Sequence, residues 1–338
     1  MSLEAAVTHD DGPVGTWVPD LLLAGYEACR LPAWVPPEAS LASRLAVAGR
    51  DDPVLTLVRP ADGPADPRGV VVHLHGYNDY FFQTHLVDTL AEAGWAFLAV
   101  DARRCGRSWR PEEVPHYQAD LREQADDLGR AVRTARELHP GVPVVVHAHS
   151  TGGLVASLWS HAHRARGGPD ALVLDSPFFS VTNSWIQPLA DSALPALARR
   201  TPLRAMSHAP SRYAARLLER WTFDTTLKTP DGVPARAAWL AAVRAGQRRV
   251  GRGLAVPVPV LLAHSARSGL DALDNPDLDS QDTVLDVVPM AHLGLGVGPD
   301  VTEVSIDGGV HDLTLSTDVP RAEYLRTLVD FLGTRLGG

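Results

Sequence analysis

The chain has 338 residues, of which 45% are hydrophobic, so it can bury a large core as one large domain or as one domain with an insert. Its formal charge of −9 comes from 31 basic and 40 acidic residues, and no basic run occurs, which argues against nucleic acid or an anionic membrane surface as the main partner. Its two cysteines, Cys29 and Cys105, are too few for a disulfide framework or a cysteine-rich zinc site. Lys228 is the only lysine, and we interpret this as coding bias rather than function.

The first residues predict a cytoplasmic protein that does not insert stably in a membrane. The start, MSLEAAVTHDDGP, is acidic and lacks the apolar segment of a leader. The longest early apolar stretch, LLLAGYEA, is far shorter than the roughly 20 residues that cross a bilayer. No pattern in the chain indicates the number of subunits.

Residues 1–52 predict an N-terminal extension packed on the core, with one helix near PDLLLAGYEACR. The next stretch, PVLTLVRPADGPADPRGVVVHLHG, predicts a strand, a Gly/Pro turn and a second strand, at an antiparallel edge. Six runs rich in Val, Leu and Ala predict strands that are mostly apolar on both faces, as in a parallel sheet covered on each side. They are GVVVHLHG, AFLAVDARR, PVVVHAHS, ALVLDSP, PVPVLLAHS and TEVSIDGG.

Helical patterns separate these strands, for example FFQTHLVDTLAEAGW and YQADLREQADDLGRAVRTARELHP. Strands that alternate with helices predict an α/β fold, with a mostly parallel central sheet and helices on both faces. We expect this core to be formed by two parts of the chain, residues 53–176 and 256–338.

Residues 177–255 interrupt the alternation and predict an inserted helical cap. No convincing strand occurs there, and the clearest amphipathic helix is ARAAWLAAVRAGQRRVGRGL. The insert follows the C-terminal end of a strand, where ligands bind in open α/β sheets. Its aromatic residues either form a small core of their own or line an apolar pocket beneath a lid; they are Phe178, Phe179, Trp185, Trp221 and Trp239.

The segment VPVVVHAHSTGGLV ends an apolar strand at Ser150 and continues directly into a helix. In a nucleophile elbow the chain turns sharply at the serine, so the residues two before and two after it must be small. Here they are Ala148 and Gly152, so the pattern G-x-S-x-G is present with alanine at its first position. The alternative is that Ser150 caps the helix, but a cap does not explain small residues on both sides.

A serine hydroxyl needs a base within hydrogen-bond reach and an acid that orients this base, in the chain order Ser, acid, His. Of the 14 histidines, His311 is favoured because it lies just past two glycines after the last predicted strand, in VSIDGGVHDLTLS. We expect the histidines in or beside strands to be core residues, and HLH and HAH lack the nearby carboxylates or cysteines of a zinc site. These are His73, His75, His147, His149 and His264.

The acid is expected between PVLLAHS and the next helix, where six aspartates occur in SARSGLDALDNPDLDSQDTVLDV. The oxyanion donors are expected to be backbone amides. The predicted strand in HLHGYNDY ends in His-Gly, which directs the Tyr77 N–H into the site, and the Thr151 N–H follows the nucleophile. A plain turn is the alternative for HGYN.

Together, HLHGYNDY, VDARRCGRS, HSTGGLVA, LDSPFF and GGVHDL resemble an α/β-hydrolase branch that includes monoacylglycerol lipases, lysophospholipases and the serine aminopeptidase S33 group. The resemblance covers roughly residues 55 to 335. It implies Ser150 as nucleophile, His311 as base, the amides of Tyr77 and Thr151 as oxyanion donors, and a cap near residues 177–255.

Two positions depart from the family pattern. Alanine replaces the first glycine of the elbow, and Ser268 lies near the usual place of the acid. DTVLD resembles the family's sequence at the entrance of the next helix, displaced by an insertion, so the resemblance favours Asp282 as the acid. Asp286 is the second candidate, and Asp271 is the third.

The resulting hypothesis is a serine hydrolase that cleaves carboxylic esters of hydrophobic acyl groups through an acyl-enzyme, without a metal or organic cofactor. A peptidase or amidase is less favoured, since binding of a free α-amine needs carboxylates and the insert has few acids. A ligand-binding protein that keeps the hydrolase fold with negligible turnover is the alternative from another class.

Overall fold

The computed structural model describes residues 15–34, 53–180, 187–207, 212–272 and 274–337. Their strands are β1 (Trp17–Pro19), β2 (Tyr26–Pro32), β3 (Val54–Pro60), β4 (Gly69–Leu74), β5 (Trp95–Asp101), β6 (Val144–His149), β7 (Ala171–Asp175), β8 (Ala205–Ser207), β9 (Ala235–Arg236), β10 (Val260–Ser265) and β11 (Val301–Ile306). Nine of them form one sheet in the order β1-β2-β3-β5-β4-β6-β7-β10-β11.

The six strands from β5 to β11 in this order pair in parallel, whereas β1, β2 and β3 pair antiparallel. The α-helices are α1 (Thr84–Glu92), α2 (Leu121–Leu138), α3 (Thr151–Ala162), α4 (Gln187–Arg200), α5 (Arg212–Leu217), α6 (Ala237–Val250), α7 (Val287–Gly294) and α8 (Asp318–Leu336). A mostly parallel sheet with flanking helices confirms the predicted fold class.

Helices cover both faces of the sheet. Val70 and Val72 of β4 share one apolar cluster with α2, α3 and α6, whereas Val71 between them shares another with α1 and α8. Because successive side chains of a strand point to opposite faces, both sides of β4 are buried. This burial explains why the central strands are apolar at nearly every position.

No helix of the described residues is long and apolar enough to span a bilayer.

The predicted helix near PDLLLAGYEACR is wrong, because its second half is β2. Seven residues of β2 pair with β3, and the Arg59 side chain of β3 also reaches Glu27 at 2.9 Å. This long-range pairing outweighs the local helical pattern. The predicted strand at residues 54–60 exists, but β5 and not β4 is its antiparallel neighbour, and β2 lies on its other side. Neither partner is joined to this strand by the Gly/Pro turn, so the turn pattern did not reveal the two pairings.

The expectation of an insert without strands is also wrong. The strands β8 and β9, which lie between β7 and β10 in the sequence, pair with each other in a separate sheet. The same part of the chain contains α4, α5 and α6. Strands of three and two residues are too short to show an alternating pattern. Phe179 and Trp239 join the large core cluster, whereas Trp185 lies outside the described residues. The boundaries assigned to extension, core and cap stay a prediction.

Candidate active site

Ser150 lies at the turn between β6 and α3 and has φ 52° and ψ −118°. A non-glycine residue in this region is strained, and such strain is characteristic of a nucleophile elbow. Gly152 allows the turn, since a Cβ there would lie 2.5 Å from the carbonyl oxygen of His75. The Ser150 side chain makes no capping hydrogen bond to α3, which disfavours the interpretation as a helix cap.

His311 lies in the loop after β11 and joins two of the predicted site residues. Its Nε2 is 3.0 Å from Ser150 Oγ, and its Nδ1 is 2.8 Å from Asp282 Oδ2. All three side chains are buried. In this arrangement an imidazole can accept the serine proton while the carboxylate holds its orientation.

Asp282 reaches His311 because the insertion after Ser268 folds back, so that its last residues lie beside its first. The Asp282 N–H donates to the carbonyl of Arg267 (2.9 Å), and the Gly269 N–H donates to the carbonyl of Asp282 (2.9 Å). A parallel bridge therefore places Asp282 beside Ser268. The Asp282 Oδ1 accepts the amides of residues 284 and 285 at 2.8 and 2.7 Å, which leaves Oδ2 for His311.

The other two candidate acids bind backbone amides elsewhere. Asp286 is the N-cap of α7 and accepts the Val288 N–H at 3.1 Å. Asp271 accepts the N–H groups of Arg212 and Tyr213 at the start of α5. Of the three aspartates, Asp282 is the one that the structure brings to His311.

The residues predicted to supply the oxyanion donors both lie near Ser150. Thr151 is the first residue of α3, and Tyr77 follows Gly76 in the loop after β4. A Cβ on Gly76 would lie 3.0 Å from the Ser150 Cβ, so this loop approaches Ser150 closely and glycine permits it. Tyr77 and Thr151 both line a cavity with Ser150 and His311.

This cavity has a volume of about 510 Å³ and is lined by both the core and the insert. Its apolar lining includes Phe178 after β7 together with Leu217, Val233 and Trp239 of the insert. Asp79, Lys228 and Asp271 are its charged residues besides the histidines. A mostly apolar cavity with a few polar groups is typical of small-molecule sites.

A buried network of charged groups lies next to Ser150. The His149 Nδ1 is 3.9 Å from Asp175 Oδ1, and the His149 ring lies 4.9 Å from the ring of His311. Burial by itself lowers the pKa of His149, but the carboxylates of Asp312, Asp175 and Asp79 raise it to about 9. The pKa of Asp312 is in turn lowered, since the positive charge of His149 and its hydrogen bonds outweigh burial. His149 is therefore an imidazolium ion at neutral pH.

Sequence reasoning missed this network because it treated His149 as an ordinary core histidine. The signal was available in the position of His149, next to Ser150, and of Asp312, next to His311. Ligand atoms of Asp79, His149 and Asp312 lie within 4.8 Å of one another, a spacing that could hold a metal ion. The Lys228 ammonium, 2.7 Å from Asp79 Oδ1, and the proton of His149 already balance the carboxylates, so a cation would have to displace positive charge.

The other strand histidines are buried and make hydrogen bonds within the core. His73 and His147 face each other with 2.8 Å between their Nδ1 atoms, and His147 Nε2 reaches the Tyr324 hydroxyl at 2.7 Å. Burial lowers the pKa of both rings, that of His147 to about 4. His75 Nδ1 lies 2.7 Å from the Gly76 carbonyl, and His264 Nε2 lies 3.0 Å from Glu303.

Substitution of His149 by glutamine is expected to change how stability depends on pH. Because the pKa of His149 is higher in the folded protein than in the unfolded chain, its protonation stabilises the fold. This contribution is complete at pH values below the ordinary histidine pKa of about 6.5, and it is lost as pH rises through about 9. The stability advantage of the wild type over His149→Gln should therefore shrink by on the order of 3 kcal/mol between pH 6 and pH 10. Urea unfolding across this range measures the difference.

His147→Gln is the matched control, because the low pKa of His147 keeps this buried ring neutral throughout the range. Between pH 6 and pH 10 the stability of the wild type relative to His147→Gln should rise by less than about 1 kcal/mol, because only the ring of the unfolded chain loses a proton, near pH 6.5. A stability advantage over His149→Gln that does not shrink across this range would show that His149 is not charged in the folded protein.

A family model described as serine aminopeptidase, S33, matches residues 65–274. Monoacylglycerol lipase from Mycolicibacterium smegmatis is 29% identical over 214 residues, 61% of this chain and 72% of the lipase. A solved monoacylglycerol lipase from Paleococcus ferrophilus is similar with a TM-score of 0.60 and 17% identity, over 81% of this chain and 96% of that chain. A solved carboxyl esterase from Bacillus coagulans is similar with a TM-score of 0.63 and 14% identity, over 93% of this chain and 100% of that chain.

At such low identities the two solved structures establish the fold, and the family model carries the assignment. It spans more than half of the chain, from just before β4 to the insertion after β10, and so includes the elbow at Ser150 and the whole insert. The chain therefore belongs to the serine aminopeptidase S33 family, within the branch of the α/β-hydrolases that includes the monoacylglycerol lipases.

Proposed function

We propose that the protein is a serine hydrolase that cleaves carboxylic esters of hydrophobic acyl groups. Ser150 is the nucleophile, His311 the base and Asp282 the acid that orients His311. The observation that carries this proposal is the position of His311, within hydrogen-bond distance of both Ser150 Oγ and Asp282 Oδ2.

The reaction proceeds by acyl transfer in two halves. In the first, Ser150 Oγ forms a bond to the ester carbonyl carbon while its proton moves to His311 Nε2. Collapse of the oxyanion then breaks the bond to the alcohol, which leaves with that proton. In the second half His311 takes a proton from water as the water oxygen bonds to the acyl carbon; collapse of this oxyanion breaks the bond to Ser150 Oγ, which takes the proton back from His311, and the acid is released. The amides of Tyr77 and Thr151 bind the oxyanion in both halves.

The lining of the cavity supports a hydrophobic substrate. Phe178, Leu217 and Trp239 bring apolar surface to the nucleophile, and all three belong to the insert. We further propose that residues 177–255 form a cap over the site. The similarity to monoacylglycerol lipases and to an esterase agrees with an ester as substrate.

The charges of the cavity favour an ester over the peptide that the family description would suggest. An aminopeptidase must bind a free α-amine, which requires a carboxylate without a cationic partner. Asp79 is paired with Lys228, and Asp271 accepts two backbone amides. The charge of Asp79 is thus already balanced, and each oxygen of Asp271 already accepts a backbone amide, so an α-amine would have to compete with partners that are in place.

Turnover of a panel of substrates, combined with labelling by a fluorophosphonate, tests the proposal. The panel contains p-nitrophenyl esters and monoacylglycerols of increasing chain length, together with aminoacyl anilides. We expect stoichiometric labelling at Ser150, seen by peptide mass spectrometry, and turnover of esters but not of anilides. Faster turnover of anilides would indicate a peptidase. Labelling without any turnover would indicate a ligand-binding protein.

A further inference from the structure

A loop of the insert, residues 224–234, forms hydrogen bonds to every residue of loop 77–80, which follows β4 and contains the proposed oxyanion donor. Pairs of atoms that join the two loops are Tyr77 Oη to the Pro234 carbonyl (3.2 Å), Asn78 Nδ2 to the Thr229 carbonyl (2.9 Å), the Thr229 N–H to Asn78 Oδ1 (3.0 Å), Lys228 Nζ to Asp79 Oδ1 (2.7 Å) and the Asp224 N–H to the Tyr80 hydroxyl (2.7 Å). Loop 77–80 is thus held by a segment about 150 residues away in the chain.

Asn78 shows that loop 77–80 depends on these contacts. Its φ of 54° lies in the left-handed region, which is unfavourable for a residue with a Cβ and persists where the surroundings hold it. The Asn78 side chain both donates to and accepts from the backbone of Thr229. The insert therefore stabilises the strained turn directly after Tyr77.

Lys228 and Asp79 form the charged contact between the two loops. Their exposed fractions are 8% and 2%, so the pair is almost fully removed from water. Asp79 Oδ1 also accepts the Tyr80 N–H at 3.0 Å, and the ammonium lies 5.5 and 5.9 Å from the ring centres of Phe82 and Phe223. An ammonium is more compact than a guanidinium. Lys228 is the only lysine in the sequence, and it is buried at this contact.

We propose that Lys228 is a positioning residue that, with Asn78 and Asp79, holds the Tyr77 N–H where the oxyanion develops. This role rests on the proposed function, since it requires an oxyanion beside Ser150. Loop 224–234 then acts as a fixed part of the active site.

A trifluoromethyl ketone measures the oxyanion site separately from substrate binding. Ser150 Oγ forms a bond to its carbonyl carbon, the carbonyl electron pair becomes an oxyanion, and the hydroxyl proton moves to His311. The matching secondary alcohol binds in the same cavity but forms no adduct. A variant with a displaced Tyr77 N–H loses affinity for the ketone and keeps affinity for the alcohol.

The test compares Lys228→Met, Lys228→Arg and the double variant Asp79→Asn/Lys228→Met. The double variant removes the contact without leaving a buried charge unpaired, so it stays informative if Lys228→Met alone fails to fold. Arg216→Gln is the matched control, because it removes an ion pair from the insert to Asp279 away from loop 77–80. Thermal unfolding and fluorophosphonate titration give the fraction of folded, labelled protein.

We expect kcat and ketone affinity to fall together by about 10- to 100-fold in Lys228→Met and the double variant, somewhat less than the loss of an entire oxyanion donor. KM and alcohol affinity should stay within about twofold, since uniform binding is not affected. Lys228→Arg, which keeps the charge, should recover part of the loss, and Arg216→Gln should match the wild type.

The inference is overturned if folded Lys228→Met and the double variant keep the wild-type kcat and ketone affinity. It is also overturned if KM and alcohol affinity change in place of kcat, because Lys228 would then contact the substrate, or if activity falls only in proportion to the folded fraction. Failure of the proposed function has a different signature, namely a Ser150→Ala variant that still turns over esters.

Discussion

Replacement of Ser150 by alanine is expected to reduce kcat for ester hydrolysis by about 10³-fold or more, the scale on which loss of a nucleophile acts. The fold should survive, because the substitution deletes one oxygen whose hydrogen-bond partner is His311. The strained φ of 52° is present with either side chain, and the backbone bond from the Ser150 N–H to the Asp175 carbonyl (3.0 Å) is kept. Initial rates and fluorophosphonate labelling measure the loss, and thermal unfolding measures the fold.

Ser157→Ala provides the matched control. Ser157 is a buried serine of α3, the helix that follows Ser150, and its hydroxyl donates to the Gly153 carbonyl at 2.8 Å. Its replacement removes the same oxygen and one local hydrogen bond, so it should lower stability slightly and leave kcat near the wild-type value. If Ser150→Ala kept most of the activity, the nucleophile would have to be another residue.

Replacement of Asp282 by asparagine is expected to lower kcat by about 10⁴-fold, as the corresponding exchange does in a serine protease. The Asp282 Oδ1 accepts two backbone amides, so an asparagine will place its carbonyl oxygen there and turn its NH₂ group toward His311. That group donates to Nδ1 and holds the proton of the imidazole on Nε2. The ring then cannot accept the proton of Ser150. Single-turnover acylation by a p-nitrophenyl ester measures this step directly.

Asp286→Asn tests the second candidate acid and serves as the control. Asp286 caps α7, and asparagine is also a good N-cap, so both stability and kcat should change little. Near-normal turnover by Asp282→Asn together with a collapse in Asp286→Asn would contradict the assignment and place the acid one turn further along the chain.

Much of the fold was predictable from local patterns. Five of the six parallel strands are buried along their whole length, so their sequences are apolar at nearly every position and stand out from the helices between them. The sixth, the edge strand β11, is only partly buried and carries polar residues. The N-terminal strand β2 was predicted as a helix. It is stabilised by pairing with β3, which lies well beyond it in the sequence, so no local pattern indicates the pairing. The strands β8 and β9 are too short to leave a pattern.

The sequence alone determined the elbow at Ser150 and the position of His311 in the loop after the last strand. Both depend on interactions within a few residues, where the steric needs of a sharp turn select small neighbours such as Ala148 and Gly152. Tertiary structure decided which aspartate meets His311, because the loop after Ser268 had to fold back before Asp282 could reach the ring. It also decided the charge of His149 and the contact of Lys228 with Asp79, since burial and the approach of distant carboxylates set both, and neither leaves a local pattern.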